Sequence, residues 1–281
     1  MLFHKRVFSD EPLLIRPRDP NKFSIVHVVI VIAAVFLIGV LGAPFLSHRS
    51  HISVAAMQPA FWLLDSTWRL ITIALVLAFA ATACQGGIQG VGMKSGRFFW
   101  SGMLIGLGAI AVLWPLVFLG DGISVTVERV LWHHKAPQNS LLKAAQHHPS
   151  PEILVLMTIS LCVMAPLSEE LFFRGLVQSY LAQVLANIRG HFVVPRSGET
   201  FGEKASPTAI APADRWGAIF ISSAFFALAH AEPSAFVALF LLGVALGYVY
   251  ERTGNLWTDI TMHSVFNGVS LLATLALHTP H

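Results

Sequence analysis

Charged residues are scarce in this chain, and their scarcity excludes an ordinary soluble protein. Only 12% of the 281 residues are charged, whereas 55% are hydrophobic. A soluble globular domain usually carries about 25% charged residues. The net charge of +3 is also too small to indicate a nucleic-acid-binding surface. The composition therefore predicts a polytopic membrane protein with lipid around it and no nucleic-acid partner.

Cysteine is nearly absent, and this excludes a fold held together by disulfide bonds. The chain has two cysteines, Cys84 and Cys162, and both lie in apolar segments. A disulfide framework needs several cysteines at regular spacings in polar, loop-rich sequence. The chain is therefore not expected to depend on a disulfide framework.

Long apolar runs are abundant instead. A membrane-spanning helix needs about 20 mostly apolar residues. The segments that come closest to this requirement are 23–46, 67–84, 98–119, 151–177, 216–231, 234–250 and 256–277. A further short or re-entrant piece is predicted at 55–64. We therefore expect an all-α fold, a transmembrane helical bundle of about seven to eight spans.

Basic residues between the spans predict the orientation of the chain. With the N-terminus inside, the inside segments hold twelve lysines and arginines, five of them before residue 23, and the outside segments hold five. Because basic loops stay on the cytoplasmic side, the N-terminus is predicted to be cytoplasmic. In this scheme Arg69 is counted as an outside charge. The connection 122–150 is predicted to lie outside, partly at the membrane interface.

Two adjacent carboxylates and an arginine interrupt the span 151–177, in the stretch SEELFFRG. Ionisable groups at bilayer depth cost about 2.5–3.5 kcal/mol each on insertion scales, so they are functional candidates. Glu170 and Arg174 are i,i+4 neighbours and are predicted to form an ion pair. Glu169 points about 100° away and is expected to be unpaired and free to act as a base. A fully paired cluster that only joins helices is the alternative.

Two later spans carry further polar pairs with i,i+4 spacing. Phe226 and His230 share one helical face, and so do His263 and Asn267. Histidine and asparagine can both donate hydrogen bonds to a developing oxyanion. Asp259 lies one turn before His263 and could orient its imidazole, but a position at the membrane surface is the preferred interpretation.

Glu169, His230, His263 and Asn267 together supply the groups that peptide hydrolysis inside a membrane requires. The motifs EExxxR, FxxxH and HxxxN follow one another in this order. In that order they resemble the CPBP family of intramembrane proteases. The family includes the type II CAAX prenyl endopeptidases and the bacteriocin-processing or self-immunity proteins, also called the Abi family.

The resemblance implies a role for each residue that carries it. Glu169 and His230 would activate the catalytic water, and His263 and Asn267 would form the oxyanion hole. The substrate would be a membrane-associated or lipidated protein or peptide, and the other expected partner is membrane lipid.

Supporting roles follow from the same resemblance. Glu170 and Arg174 would stabilise the site by pairing, and Phe226 would shape the pocket. Residues 1–150 would then be transmembrane scaffold helices with an interfacial loop, and residues 151–281 would be the catalytic helical core. Asp259 has no family role to inherit.

A mechanism that depends on glutamate and needs no metal is what the resemblance implies, so we expect no cofactor. Zinc held by His230, His263 and Glu169 is the alternative. The chain has no HExxH motif, and asparagine is a poor zinc ligand.

Functions of two other classes also fit these residues. A proton-coupled transporter or channel also uses intramembrane glutamate, histidine and arginine, although no internal repeat of the transporter kind is visible. A non-catalytic immunity or partner protein would retain the motifs and work without Glu169.

Overall fold

Seven helices make up the part of the chain that the computed structural model describes, residues 23–34, 37, 58–84, 86–132, 149–192 and 210–276. No strand occurs in these ranges, so the all-α prediction is confirmed. The helices are α1 (Ile25–Ala34), α2 (Pro59–Ala83), α3 (Arg97–Trp132), α4, α5 (Pro212–Ala229), α6 (Phe236–Thr253) and α7 (Leu256–Ala276). Helix α4 is continuous through the segments Pro151–Ile159, Ser160–Met164, Ala165–Glu170, Leu171–Gln178 and Ser179–Phe192.

Four stretches among the described residues are long and apolar enough to cross a membrane: Pro59–Ala83, Arg97–Val127, Pro151–Gly190 and Phe236–Thr253. Apolar side chains also point outward, and on α3 Leu104, Val112 and Phe118 are at least 70% exposed. Large exposed apolar surface is typical of a protein that faces lipid. The protein is therefore an integral membrane helical bundle, as predicted.

Three helices have bounds that differ from the predicted spans. The piece predicted at 55–64 is, from Pro59 onward, the first part of α2, which runs unbroken to Ala83. Helix α3 passes residue 119 and continues to Trp132, with Pro115 inside it. Helix α4 extends to Phe192. The N-terminal basic residues and most of the loop 190–214 lie outside the described residues.

Glycines let the helices of the bundle approach closely. A Cβ atom on Gly106 of α3 would lie 2.6 Å from the carbonyl oxygen of Thr258 in α7. A Cβ atom on Gly243 or Gly247 of α6 would meet Ser223 or Gln178 at 3.0 and 2.6 Å. Small residues at such crossings replace side-chain bulk with direct backbone contact. As a result α3 packs against α6 and α7, and α6 packs against α4 and α5.

Helix α4 lies at the centre of these contacts. Its Leu171 and Leu176 are fully buried in one apolar core with Val31 of α1 and Val76 of α2. The remaining sides of α4 contact α5, α6 and α7. Glu170, Arg174 and Gln178 of α4 are therefore buried, and partners can reach this part of the helix from both halves of the chain.

Candidate active site

Two π-helical segments of α4 flank the pair of carboxylates. Ser160–Met164 precedes the α-helical segment Ala165–Glu170, and Leu171–Gln178 follows it. Hydrogen bonds of the π type are rare, and they often mark functional sites because they change the direction in which side chains point.

Pro166 explains part of this geometry. The backbone N–H of Ala165 bonds to the carbonyl of Ser160, five residues back. In the same register residue 166 would donate to the carbonyl of Leu161, but Pro166 has no N–H. The carbonyl of Leu161 therefore lacks that partner, and it accepts instead from the side-chain amide of Asn267 at 2.8 Å. This bond positions Asn267 on α7 beside α4 and uses one of its two N–H donors.

Glu169 presents its two oxygens to different partners. Arg69 of α2 donates from Nη1 to Oε1 at 2.9 Å. The expectation of an unpaired Glu169 is therefore wrong. Oε2 is buried, has no hydrogen-bond partner among the described residues, and lies 3.8 Å from Nε2 of His230 and 3.9 Å from Nε2 of His263. One oxygen is thus fixed, and the other faces both imidazoles.

His230 lies at the very end of α5, in a defined tautomer. Its Nδ1 is 2.8 Å from the carbonyl oxygen of Phe226. A carbonyl oxygen only accepts, so Nδ1 carries the proton and Nε2 of the neutral ring has a free lone pair towards Glu169. Ala231 then adopts a left-handed conformation with φ of 51°, which costs a non-glycine residue about 1–2 kcal/mol. This turn ends α5 directly after His230.

His263 of α7 is oriented by Glu170. Its Nδ1 lies 2.7 Å from Oε1 of Glu170, whose Oε2 lies 3.1 Å from Nε of Arg174. The side chains of all three are buried, and the predicted Glu170–Arg174 pair is confirmed. Asp259, in the first turn of α7, is fully buried as well, and its position at the membrane surface stays a prediction. The partner on Nδ1 of His263 is Glu170 rather than Asp259.

The ring of Phe226 packs between the charged and the imidazole groups. Its centroid lies 4.7 Å from the ring of His230, 5.6 Å from the ring of His263 and 4.7 Å from the guanidinium carbon of Arg174. Phe226 is fully buried. This contact set restricts the rotation of both imidazoles and adds a cation–π interaction with Arg174.

Asp65 and Arg69 are site residues that the sequence argument missed. Nε of Arg69 donates to Oδ2 of Asp65 at 2.8 Å, and the hydroxyl of Ser160 donates to the same oxygen. Nε1 of Trp68 donates to Oδ1 at 3.0 Å. The signal was present, because Asp65 and Arg69 form an i,i+4 ionisable pair in an apolar run. The description of residues 1–150 as scaffold omits this contribution of α2.

The polar residues form two clusters that start from neighbouring positions of α4. The first, which we call the Glu169 cluster, consists of Asp65, Arg69, Glu169 and His230. The second, the Glu170 cluster, consists of Glu170, Arg174, Gln178, Arg215 and Glu251. In the second cluster Gln178 and Arg215 donate to the two oxygens of Glu251 at 3.1 and 2.7 Å. His263 contacts both clusters.

An apolar cavity of about 360 Å³ lies next to the His230 turn. Leu228, Ala231, Pro233 and Phe236 line it, and Ser124 of α3 closes one side. The hydroxyl of Ser124 accepts from the backbone N–H of Val237 at 3.0 Å. The cavity can hold an apolar side chain next to the turn that follows His230.

A family model described as "Type II CAAX prenyl endopeptidase Rce1-like" matches residues 151–269. The match supports assignment of this segment to the CPBP family. The match covers α4 to α7 and leaves α1 to α3 outside. No curated protein and no solved structure matches the chain. The match supports a hydrolase of the intramembrane endopeptidase kind, a class that acts on membrane-associated proteins or peptides.

Proposed function

We propose that the protein hydrolyses a peptide bond with Glu169 as general base and His230 as the second group that holds the catalytic water. The observation that carries this proposal is the convergence of Glu169 Oε2 and His230 Nε2, 3.8 Å apart. A polar gap of this width is suited to a bridging water. A water about 2.8 Å from each atom fits between them.

The tautomer of His230 supports this division of roles. Its Nδ1 proton is held by the carbonyl of Phe226, so its Nε2 can accept one hydrogen of the water. Glu169 accepts the other hydrogen and removes it as the water oxygen attacks the substrate carbonyl carbon. The carbon–nitrogen bond then breaks, and the proton passes from Glu169 to the leaving amine nitrogen.

His263 and Asn267 are proposed to hold the oxyanion. Nδ1 of His263 donates to the Glu170 carboxylate, so an oxyanion role for Nε2 requires a second proton on the ring. In this role the imidazolium lies between the carboxylates of Glu169 and Glu170. Asn267 contributes the N–H that is not bonded to Leu161. Donors fixed in this way before the reaction stabilise the developing charge most effectively.

We propose that the reaction needs no metal. Zinc would take Glu169, His230 and His263 as ligands, with donor atoms about 2.0–2.2 Å from the ion and therefore about 3.4 Å from one another. The distances of 3.8 and 3.9 Å from Glu169 are wider. Arg69 also places a cation on the same carboxylate, which opposes binding of a divalent ion. Cleavage should survive exhaustive chelation, and a loss that zinc restores would contradict this proposal.

The substrate is proposed to place an apolar residue in the cavity next to the turn that follows His230, because apolar groups line most of that cavity. The experiment that identifies the substrate will also show whether that substrate is prenylated.

The test compares new protein termini in membranes that contain wild type, Glu169→Gln or Glu152→Gln at matched expression. Glu152 is an exposed carboxylate in the first turn of the same helix, so it controls for loss of charge on α4. Terminal-peptide mass spectrometry should find termini that require Glu169 and do not require Glu152. The purified protein should then cleave the corresponding peptides, and Glu169→Gln should lower the turnover by about 10²–10⁴-fold.

Equal sets of termini for wild type and Glu169→Gln would overturn the proposal if the purified protein also leaves the candidate peptides intact. Proton flux through liposomes would then test the transporter alternative. Normal cellular function of Glu169→Gln would favour the non-catalytic alternative.

A further inference from the structure

Arg69 lies outside the segment that the family model matches, yet it forms an ion pair with the proposed catalytic base. Its side chain is 9% exposed and belongs to α2, one of the helices long and apolar enough to span a membrane. Its guanidinium joins two carboxylates, through Nε to Asp65 at 2.8 Å and through Nη1 to Glu169 at 2.9 Å. An arginine at such depth is costly and is by default a functional candidate.

The contact with Arg69 decides which oxygen of Glu169 faces the imidazoles. Rotation about the last torsion of a glutamate is broad and roughly two-fold, so an unrestrained carboxylate turns easily. The bond to Oε1 fixes the carboxylate plane and leaves Oε2 towards His230 and His263. A change of about 1 Å at a reacting group can lower the rate about 10²-fold.

Asp65 holds Arg69 in turn. Its Oδ2 accepts from Arg69 and from Ser160 of the first π-helical segment, and its Oδ1 accepts from Trp68. These bonds tie the guanidinium to both α2 and α4. The Asp65–Ser160 bond already joins the two helices, so a link between helices does not by itself require Arg69 to reach Glu169.

We infer that Arg69, held by Asp65, is a positioning residue that orients the Glu169 carboxylate for water activation. The inference rests on the proposed role of Glu169 as the base. By this inference the N-terminal half of the chain, which lies outside residues 151–269, helps to set the geometry of the catalytic carboxylate. Arg69 does not contact the reacting atoms and acts through Glu169.

The test measures kcat and KM separately for Arg69→Met, Arg69→Lys and Asp65→Asn, on a peptide cleaved by the wild type. Arg69→Met should lower kcat about 10²-fold with KM changed less than about threefold. Arg69→Lys should retain part of the wild-type kcat, because lysine keeps the positive charge. It should not retain all of it, because lysine lacks the planar guanidinium that bonds two carboxylates at once. Asp65→Asn should lower kcat about tenfold, by loosening Arg69.

Arg215→Met is the matched control, since Arg215 also forms an ion pair with a carboxylate, at 2.7 Å, but in the Glu170 cluster. It should leave kcat per folded molecule unchanged. Each rate is divided by the folded fraction from size-exclusion chromatography and thermal unfolding in detergent. If Arg69→Met fails to fold, Arg69→Lys and Asp65→Asn decide the question.

A wild-type kcat per folded molecule in the Arg69 variants, or a change confined to KM, would overturn the inference. Glu169→Gln, measured beside them, separates this failure from a failure of the proposed function. If Glu169→Gln is inactive while the Arg69 variants keep the full kcat, only the inference fails. If Glu169→Gln is active, the proposed function itself fails.

Discussion

The Glu169 cluster and the Glu170 cluster begin one residue apart and differ in what the oxygens of their two carboxylates face. Glu170 is fully buried, and its two oxygens face Arg174 and His263. Glu169 is 21% exposed on its side chain, and among the described residues Oε1 alone of its two oxygens has a hydrogen-bonding partner. A carboxylate with both oxygens paired can stabilise structure, whereas one with a free oxygen beside two imidazoles can take a proton from water.

Helix α4 turns two adjacent carboxylates towards different neighbours. We therefore expect Glu170 to contribute mainly to stability and Glu169 mainly to catalysis. Changes in the Glu170 cluster should mainly alter the free energy of unfolding. Changes around Glu169 and Asn267 should mainly alter turnover. The following variants test this separation, from the largest expected effect to the smallest.

Arg174→Ala should destabilise the protein most. It leaves Glu170 as a buried carboxylate beside His263 only, and loss of one partner from a buried pair costs about 3–5 kcal/mol. Thermal unfolding in detergent measures the effect. Arg215→Ala, at a side chain 35% exposed, should cost about 1 kcal/mol or less. Equal losses in the two variants would contradict the view that the Glu170 cluster is held together at Arg174.

Asn267→Ala should lower kcat about 10²–10³-fold, because it removes one proposed oxyanion donor. Stability should fall by only about 1 kcal/mol, from the lost bond to Leu161. Steady-state kinetics and unfolding of the same preparation separate the two effects. Ser270→Ala, one turn further along α7, removes a hydroxyl that bonds only within the helix and should change neither. Equal turnover in the two variants would remove Asn267 from the mechanism.

Gln178→Leu should lower stability by about 1–2 kcal/mol without changing kcat. The variant loses the bonds from Nε2 to Gly247 and Glu251, both 3.1 Å long. Gln178→Glu is nearly the same size but places a second carboxylate beside Glu251, so it should be less stable than Gln178→Leu. The opposite order of the two unfolding temperatures would show that charge does not govern this part of the Glu170 cluster.

Asp214→Asn should give the smallest effect, about 1 kcal/mol of helix-end stability. Burial raises the pKa of the Asp214 carboxyl, but hydrogen bonds from Arg189 and the Ala211 N–H outweigh burial and hold the pKa below its ordinary value of 3.8. A lowered pKa means that the stabilisation is present above about pH 4 and is lost as the pH falls through the folded pKa.

Unfolding temperatures of the wild type and Asp214→Asn, compared between about pH 3 and pH 7, check the sign of this effect. The difference should be constant near neutral pH and shrink in acid. A difference that grows as the pH falls would mean that the ionised form of Asp214 is not the stabilising one.

Local spacing predicted much of the site because its contacts are made within one helix. The Glu170–Arg174 pair follows from i,i+4 geometry, and so does the approach of Phe226 to His230. The order of the three motifs predicted the family of residues 151–269. These inferences needed no information about how the helices pack.

The partners of Glu169 could not be predicted in the same way. Arg69 and Glu169 are one hundred positions apart, and no periodicity within a helix relates them. The bond between Asn267 and Leu161 also crosses between helices, and it depends on a π-helical register that ends at Pro166. The burial of Asp259 depends on the packing of α7 inside the bundle.

The sequence by itself determined an integral membrane, all-α chain with a CPBP-like segment, because hydropathy, helical spacing and motif order are properties of short segments. Tertiary structure decided that Glu169 is held by Arg69 and that the two imidazoles meet at its free oxygen. The physical reason is that these contacts join helices far apart in the chain, and only their packing fixes the distances between them.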